Sequence, residues 1–401
     1  MALRVEQVEG RRGVSRFISV AWRVQGGSDS LWVPPLRMAV RDALDTKGNP
    51  FYADADRALF IATRDGSAVG RIAAIENRWH NRHHGDRVGF FGFFECLDDQ
   101  EAASALFGAA ERWLSERGLE QVRGPTSPSM NHECGLLVDG FGTPPTIMTA
   151  WNPPYYGRLV EGAGYSKVQD LLGYYLQAGD KLAVPDRVRR LAERTRRTTG
   201  VTFRRLDVST LEQEARSVLE LYNQAWAGNW GFVPPSWEEF WHTAKDLKMV
   251  LAPDVSFVAE TEKGVVGFML IAHDLNRVLR HMPSGRLWPW NIVRLLLGTR
   301  RLVFGRIILL GLTTEYRNRG LFPLFVYEAS RRGFEIGTEG GEASWLLEDN
   351  TAIVGPLEAM GAEAYKRWRI YQKPSPAAPP GQVSRGSNTR EQDDPSAVTV
   401  R

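Results

Sequence analysis

The apolar positions of the chain alternate between short continuous runs and longer stretches with helical spacing. In the first half, these patterns predict strands within residues 14–24, 58–75 and 88–96, and helices over residues 33–44 and 99–117. The 58–75 stretch contains two runs on either side of Asp65-Gly66, which is a hairpin signal. This mixture of strands and helices predicts an α+β fold for the first half.

A similar mixture of elements returns in the second half of the chain. Here the pattern predicts helices over residues 187–197 and 211–225, and strands over residues 201–206, 255–260, 265–271, 307–312, 343–347 and 366–372. We therefore expect two α+β domains, residues 1–180 and 181–373. Residues 374–401 contain no aromatic side chain and are rich in Pro, Ser, Gly and charge, which predicts a disordered tail.

Composition narrows the classes of protein to consider. The 401 residues are 43% hydrophobic and 24% charged, as in soluble globular domains. A net charge of +3 gives no electrostatic case for binding nucleic acid. Cys96 and Cys134 offer neither a disulfide framework nor a zinc-binding spacing, and no apolar run is long enough to cross a membrane. We expect a cytoplasmic protein with no metal site.

One stretch, residues 306–333, combines the features of an anion site. The run Ile307–Leu312 predicts a buried strand, and a polar turn over Thr313–Gly320 leads into a helix. Backbone N–H groups converge at a helix N-terminus, where the helix dipole also favours negative charge. Arg317 and Arg319 add positive charge in the turn. The stretch therefore predicts a phosphate-binding loop, although it is neither a P-loop nor a dinucleotide fingerprint.

Three histidines lie close together at His80, His83 and His84. Imidazole suits transition metals, but no carboxylate or cysteine stands at a fixed ligand spacing. We expect the cluster to be the polar tip of a hairpin.

A long irregular segment covers residues 124–142. Long ordered loops in compact domains are often functional. This one places an amide, an imidazole and a carboxylate side by side at Asn131, His132 and Glu133. Proton transfer and ordinary turn chemistry explain these three residues equally well.

Aromatic and basic residues surround a short apolar run near residue 290. Trp288 and Trp290 precede the run at 292–297, and Arg286, Arg294 and several other arginines flank or interrupt it. Aromatic anchors and arginines around a short apolar patch are typical of a helix that rests on a membrane surface. A core helix with solvated arginines is the alternative.

Several motifs occur in an order that resembles a known family of acyltransferases. They are Val138–Phe141, Pro153–Tyr156, Tyr222–Trp226, Asn229–Pro234, His273–Asn276, the arginine loop at Arg317, Ser344–Asn350 and Tyr365–Tyr371. Together they resemble a bacterial family of tandem GNAT-like N-acyltransferases that includes ceramide synthases, over about residues 10–373. The resemblance implies two tandem GNAT-like domains, each a mixed, mostly antiparallel sheet with flanking helices.

The resemblance also implies acyl-CoA as the co-substrate. GNAT enzymes bind the CoA diphosphate with a Gln/Arg-x-x-Gly-x-Gly/Ala loop, and Arg317, Gly320 and Phe322 take those places, the phenylalanine being a departure. The implied cofactor-binding residues are Leu310, Gly311, Leu312, Arg317, Asn318, Arg319, Gly320, Leu321, Phe322 and Asn350. No such loop stands between Glu95 and Ala102, where acidic residues occur instead. We therefore interpret residues 1–180 as a degenerate copy that has lost CoA binding.

The catalytic groups are less sharply defined by the resemblance. Many GNAT enzymes carry a tyrosine general acid where this chain has Leu357. Glu348, at the end of a predicted strand, is the first candidate for the base that deprotonates the acceptor. The further candidates are Asp349, Asp274, His132 and Glu133. For Glu348 and Asp349, helix capping is the alternative. The predicted substrate-binding residues are Asn229, Trp230, Phe232, Trp288 and Trp290.

Three functions remain compatible with these residues. The resemblance favours transfer of a long-chain acyl group from acyl-CoA to a sphingoid-base amine, a lipid-like acceptor collected at the inner membrane surface. An N-acetyltransferase acting on a small soluble or peptidyl amine is the first alternative. A non-catalytic acyl-CoA-binding protein is the second, because Phe322 and Leu357 both depart from the catalytic pattern.

Overall fold

A computed structural model describes residues 2–27, 30–177, 185–298, 304–317 and 319–375. The strands of the first half are β1 Leu3–Val8, β2 Ala55–Arg64, β3 Ser67–Asn77, β4 Val88–Cys96, β5 Gln121–Gly124, β6 Thr126–Ser127, β7 Glu133–Cys134, β8 Leu136–Asp139 and β9 Ser166–Gln177. Its helices are α1 Gly10–Gln25, α2 Arg37–Ala43, α3 Arg78–His84, α4 Gln100–Ser115 and α5 Tyr156–Gly162.

The second half repeats this mixture of strands and helices. Its strands are β10 Thr202–Arg205, β11 Phe257–Thr261, β12 Gly264–His273, β13 Phe304–Leu312, β14 Gly340–Leu347 and β15 Glu363–Pro374. Its helices are α6 Asp186–Thr199, α7 Leu211–Trp226, α8 Trp237–Leu247, α9 Asn276–Leu279, α10 Pro289–Gly298, α11 Thr314–Arg317, α12 Leu321–Glu335 and α13 Thr351–Ala359. Of the predicted tail, residues 376–401 lie outside the described residues.

Thirteen of these strands form one continuous mixed sheet. Its order is β1-β2-β3-β4-β5-β15-β9-β14-β13-β12-β11-β10, with β8 also paired to β15. Most neighbouring strands are antiparallel, whereas β4–β5 and β13–β14 are parallel. The predicted α+β class is confirmed, as is the hairpin at Asp65-Gly66, which joins β2 to β3.

The two halves exchange their last strands. β9, which ends the first half, pairs with β14 of the second half, and β15, which ends the second half, pairs with β5 of the first. β9 and β15 also pair with each other at the centre of the sheet. Each half therefore completes the sheet of the other. The predicted boundary between residues 180 and 181 falls outside the described ranges, and the division into two domains stays a prediction.

The strand predicted over residues 14–24 is wrong, because this stretch lies within helix α1. Its β-branched residues favour a strand locally. However, the buried side chains Phe17, Ile18, Ala21 and Gln25 recur at helical spacing and face the sheet together. Tertiary packing against β2 and β3 decides the conformation here.

The three histidines do lie between the antiparallel strands β3 and β4, as predicted, but the connection is helix α3 and not a polar turn. The Asn77 side chain caps the helix by accepting the His80 N–H at 2.9 Å. The His80 ring is buried and packs edge-on against Phe90 at 4.9 Å. Asn77 ends a long strand, and its capping role explains why the chain turns into a helix there.

Helices of the second half cover opposite faces of the sheet. Along β11, Phe257 and Ala259 pack with α6, α12 and α13, whereas Val258 between them packs with α7. This alternation follows from the two-residue period of a strand. The α12 face and the α7 face are therefore separate apolar layers, with the sheet between them.

A buried carboxylate links the two exchanged strands. Asp170 on β9 accepts hydrogen bonds from Arg369 at 2.8 Å and from Arg367 at 3.0 Å, both on β15, and Lys167 lies 3.1 Å away. Burial alone would raise the pKa of Asp170, but the bonds from these three cations outweigh it and hold that pKa at about 2. The charged cluster therefore stabilises the β9–β15 pair at neutral pH.

We expect Asp170→Asn to lower the free energy of unfolding by on the order of 3 kcal/mol, because it leaves cations without their shared partner. The depressed pKa implies that the wild-type contribution is complete above about pH 4 and is lost as the pH falls towards 2. Urea unfolding at several pH values measures both effects. Asp54→Asn, which breaks the exposed pair with Arg82, is the matched control and should cost less than about 1 kcal/mol. Equal losses in the two variants would contradict the prediction.

Candidate active site

The parallel strands β13 and β14 separate part-way along their length. They pair only as far as Ile307 and Ala343, and no strand of the described residues pairs with Ile308–Leu312 on that side. The register of β13 against β12 shifts at Ile308, a bulge that bends a strand and increases its twist. The result is a gap in the sheet, bordered by backbone groups that no neighbouring strand takes up.

A cavity of about 400 Å³ passes through this gap. On the α12 face it is lined by Arg317, Phe322, Val326, Asn350, Ile353 and Leu357. On the α7 face it is lined by Val218, Tyr222, Trp226, Glu239, Phe240 and Leu247. The first half contributes Met130, Asn131, His132, Cys134, Met148 and Leu171. Because both faces line one cavity, two ligands can meet in the gap from opposite sides of the sheet.

The predicted phosphate loop lies on the α12 side of the cavity. The Thr313–Gly320 segment is not a simple turn, because its residues 314–317 form the short helix α11. Gly320 has φ +76° and takes the N-cap position of α12, a conformation that favours glycine. The Arg317 guanidinium donates to the carbonyl oxygen of Ala225 at the end of α7, and Arg319 pairs with Glu315 at 3.4 Å. Both arginines thus stand beside the N-terminus of a long helix.

The implied cofactor residues fall into three groups. Those that line the cavity are Leu310, Leu312, Arg317, Phe322 and Asn350. Those in the same segment that do not line it are Gly311, Arg319, Gly320 and Leu321. Asn318 lies outside the described residues. Their role in cofactor binding stays a prediction.

The first candidate bases, Glu348 and Asp349, do not line the cavity. The Glu348 carboxylate accepts from Lys167 Nζ at 2.8 Å and from the Asp170 N–H at 3.1 Å. Asp349 accepts a long bond of 3.4 Å from Gln169. The capping alternative does not account for them either, because Asn350 takes the N-cap position of α13. Both acids are therefore held against β9, beside the gap and not in it.

Asp274 joins the two halves. Its buried carboxylate accepts the backbone N–H of Ile147 at 2.9 Å and that of Asn276 at 3.3 Å. Burial raises the pKa of Asp274 to about 6. These two bonds engage the carboxylate, which does not line the cavity.

His132 and Glu133 lie near the gap and differ in environment. His132 lines the cavity, and its Nδ1 lies 2.8 Å from the Ser129 hydroxyl. Burial lowers the pKa of His132 to about 4, so its ring is neutral at neutral pH. Glu133 is exposed at the surface, yet the surrounding protein atoms, and then the Glu95 carboxylate, raise the pKa of its side chain to about 7.

Two functional candidates escaped the sequence analysis. Arg306, at the start of β13, is buried, lines the cavity and donates to the Ser344 hydroxyl at 2.8 Å and the Ile147 carbonyl at 2.9 Å. Glu239 lies in the first turn of α8 and also lines the cavity. Burial raises the pKa of Glu239 to about 7. Arg306 stands alone before an apolar run, and nothing in that pattern indicates a functional residue. The spacing Ser236-x-x-Glu239 is that of a helix-capping box, which predicts a structural role for Glu239.

The predicted substrate-binding residues separate into two places. Asn229, Trp230 and Phe232 follow α7 and line the cavity. Trp288 and Trp290 lie at the start of α10, outside the cavity, with 61% and 84% of their surface exposed. None of the helices in the described ranges has the length and hydropathy needed to cross a membrane.

A possible group of metal ligands lies apart from the cavity lining. Single ligand atoms of Asp42, His242 and Asp246 lie within 4.8 Å of one another, and His242 Nε2 is 2.8 Å from an Asp42 oxygen. The Asp42–His242 hydrogen bond already accounts for that contact. The expected absence of a metal site stays a prediction.

No family model matches this chain. The bacterial ceramide synthase of Caulobacter vibrioides is 35% identical over 378 residues, which covers 92% of this chain and 97% of that protein. The protein YghO of Escherichia coli K12 is 34% identical over 351 residues, which covers 86% of this chain and 89% of that protein.

Solved structures share the fold at low sequence identity. A tandem GNAT protein from the clavulanic acid biosynthesis pathway aligns over 94% of this chain and 99% of its own, with a TM-score of 0.53 and 11% identity. A GCN5-related N-acetyltransferase from Sphaerobacter thermophilus aligns over 94% and 96%, with a TM-score of 0.50 and 14% identity. The chain therefore belongs to the family of tandem GNAT-type N-acyltransferases that includes the bacterial ceramide synthase.

Proposed function

We propose that this protein transfers a long-chain acyl group from acyl-CoA to the amine of a lipid-like acceptor of the sphingoid-base class. The observation that carries the proposal is the predominantly apolar cavity that passes through the gap between β13 and β14. The relative named bacterial ceramide synthase supports the choice of acceptor.

The donor enters from the α12 face. Its diphosphate binds the N-terminus of α12 and the two loop arginines, where the helix dipole and the positive charge act together. Its pantetheine arm runs along Ile308–Leu312, because amide groups of an extended ligand can add to an unpaired strand edge. The thioester then lies in the gap, within reach of an acceptor on the α7 face.

The first half offers no comparable donor site. Its parallel strands β4 and β5 also separate, but β6 fills the space: a Cβ added at Gly92 would lie only 1.5 Å from the Thr126 carbonyl oxygen. The N-terminus of α4 is occupied as well, because the Asp99 carboxylate accepts the Ala102 N–H at 3.0 Å. These contacts support donor binding by the second half alone.

Cavity size and chemistry favour long chains over an acetyl group. A two-carbon acyl group would occupy little of a 400 Å³ cavity, whereas each further buried CH₂ contributes about 0.8 kcal/mol to binding. A lipid-like acceptor benefits in the same way. The direct test is a screen of the purified protein with acetyl-CoA and long-chain acyl-CoAs against sphinganine, 3-ketosphinganine and polyamines. Turnover with acetyl-CoA and a polyamine alone would overturn the proposal.

Helix α10 is the proposed contact with the membrane that holds the acceptor. Its exposed apolar side chains are Trp288 just before it and Trp290, Ile292, Val293, Leu296 and Leu297 within it. Only Leu295 is buried among the apolar residues of this helix. A short helix with exposed tryptophans and nearby arginines suits the bilayer interface.

For the donor site, we expect Arg317→Ala combined with Arg319→Ala to weaken CoA binding strongly. Each lost charge-assisted contact to phosphate costs about 1.5–3 kcal/mol, or roughly 10-fold to 100-fold in affinity. Calorimetry with CoA measures the loss. Arg11→Ala with Arg12→Ala removes the same charge from exposed positions of α1 and is the control. Unchanged affinity in the loop variant would place the donor elsewhere.

For chain length, we expect Ala215→Leu to shift preference towards shorter chains, since Ala215 is buried on α7 and lines the cavity. A change of one or a few methylene groups in an apolar pocket alters kcat/KM by about 10-fold to 200-fold. Series of acyl-CoAs and alkyl amines show which substrate occupies this face. Gln213→Leu adds apolar volume on the solvent side of the same helix as the control. Unaltered preference in both series would argue against the cavity as the chain-binding site.

For membrane contact, we expect wild-type protein to float with liposomes that contain anionic lipid, and Trp288→Ser with Trp290→Ser to stay largely in the soluble fraction. Each nearby arginine should add about 1 kcal/mol, a contribution that salt weakens. Met38→Ser with Met249→Ser, which alters exposed apolar side chains elsewhere, is the control. If tryptophan and methionine variants float alike, α10 is not the contact.

A further inference from the structure

We propose that Glu239 binds the acceptor amine. Its carboxylate first pairs with the protonated amine and then accepts a proton from it. This inference rests on the proposed function, since it identifies the residue that handles the amine in that reaction. Glu239 was not among the candidate catalytic residues of the sequence analysis.

Position is the first observation. Glu239 is partly buried in the first turn of α8 and lines the cavity on the α7 face, opposite the loop that holds the donor. Its neighbours in the cavity wall, Tyr222 and Phe240, are aromatic. A carboxylate is thus built into a largely apolar wall, on the side from which the acceptor enters.

The second observation is that the Glu239 carboxylate forms no hydrogen bond with the described residues. In a capping box, the acid would reach back to the backbone N–H of the N-cap residue. Here Ser236 accepts the Glu239 N–H at 3.1 Å, but the reciprocal bond is not formed. Across the described residues, no hydrogen bond or ion pair involves the Glu239 carboxylate. The carboxylate is partly buried in a largely apolar wall, so a cation bound in the cavity would stabilise its charged form.

The protein groups around Glu239 do not supply a cation for its carboxylate. Two titratable groups that line the same cavity are uncharged at neutral pH: burial raises the pKa of Tyr222, and burial lowers that of His132 to about 4. Four charged or hydrogen-bonded groups on the elements around α8 have partners within the protein: Glu214 with Arg204, Arg216 with Glu212, Asp42 with His242, and Tyr52 with the Ala43 carbonyl. The cations that line the cavity, Arg306 and Arg317, donate to protein carbonyls. A substrate ammonium group would supply the cation that these groups do not.

The chemistry balances with one base. The Glu239 carboxylate takes a proton from R–NH₃⁺, which leaves a neutral amine with a free lone pair. The amine nitrogen attacks the thioester carbonyl, so that the C–N bond forms and the C–S bond breaks. The thiolate of CoA leaves and takes up the second nitrogen proton, and Glu239 releases the first to water. The products are the amide, CoA thiol and one proton.

Other acids near the gap fit this role less well. Glu348 is held by Lys167 and by a backbone N–H, and Asp274 accepts two backbone N–H groups. Glu133 does not line the cavity and lies beside Glu95 and Arg306. Glu239 alone among these four acids combines a place in the cavity wall with an open carboxylate.

The test compares Glu239→Gln with Glu238→Gln, which changes the exposed neighbour in the same helical turn. We expect Glu239→Gln to lower kcat/KM for the amine by on the order of 100-fold or more, and the control to leave it unchanged. In wild type, kcat/KM should rise as the pH passes through about 7, where the carboxylate ionises, and this step should vanish in Glu239→Gln. Calorimetry with CoA, together with thermal unfolding, verifies that both variants are folded and bind the donor.

A binding measurement separates recognition from turnover. Wild type should prefer dodecylamine to dodecanol, and Glu239→Gln should lose that preference while still binding the alcohol. Normal turnover and amine preference in Glu239→Gln would overturn the inference and leave the proposed function intact. Loss of turnover in Glu348→Gln but not in Glu239→Gln would also overturn it, in favour of Glu348. Failure of wild type to acylate any long-chain amine would instead overturn the proposed function, and the inference with it.

Discussion

The interrupted pairing of β13 with β14 is the constraint on which the rest of this structure depends. Parallel strands normally continue their hydrogen bonds to the end, because unpaired peptide groups inside a protein are costly. Here pairing stops at Ile307, and the edge beyond it borders a cavity. Under the proposed function, a ligand with its own amide groups takes the place of the missing strand along that edge.

Holding such a gap open requires support from outside the second half. β14, one border of the gap, is backed by β9 from the first half, and Arg306 at the base of the gap donates to the Ile147 carbonyl. Asp274 accepts the N–H of the same residue. The first half therefore acts as a scaffold for the site even though its own gap is filled by β6.

Much of this fold follows from local pattern. The hairpin at Asp65-Gly66, strands β2–β4 and β10–β15, and helices α2, α4, α6, α7 and α12 could be predicted from apolar spacing and turn residues, whereas β1, β9, α5 and α8 were not. Helix α1 could not, since its β-branched residues have strand preference and only tertiary packing makes them helical. The exchange of strands could not be predicted either, because the strands that pair are far apart in sequence and no local motif marks them.

The candidate site, like the fold, could be predicted from the sequence only in part. The loop around Arg317 and Gly320 carries a motif, so its position beside the cavity could be anticipated. The acids could not be ranked from sequence, because Glu348 and Glu239 differ only in what surrounds them. The Glu348 carboxylate accepts hydrogen bonds from Lys167 and a backbone N–H, whereas Glu239 lies in a largely apolar wall. Those surroundings arise from residues distant in sequence.

The exchange of last strands also bears on how the chain is made. During synthesis, β5 leaves the ribosome long before its partner β15, which is among the last described residues to be made. Until then, the first half has an open sheet edge at β5, and open edges are sites of mispairing and aggregation. The nascent first half therefore carries an unpaired sheet edge throughout the synthesis of the second half, which a protein with two self-contained sheets would not.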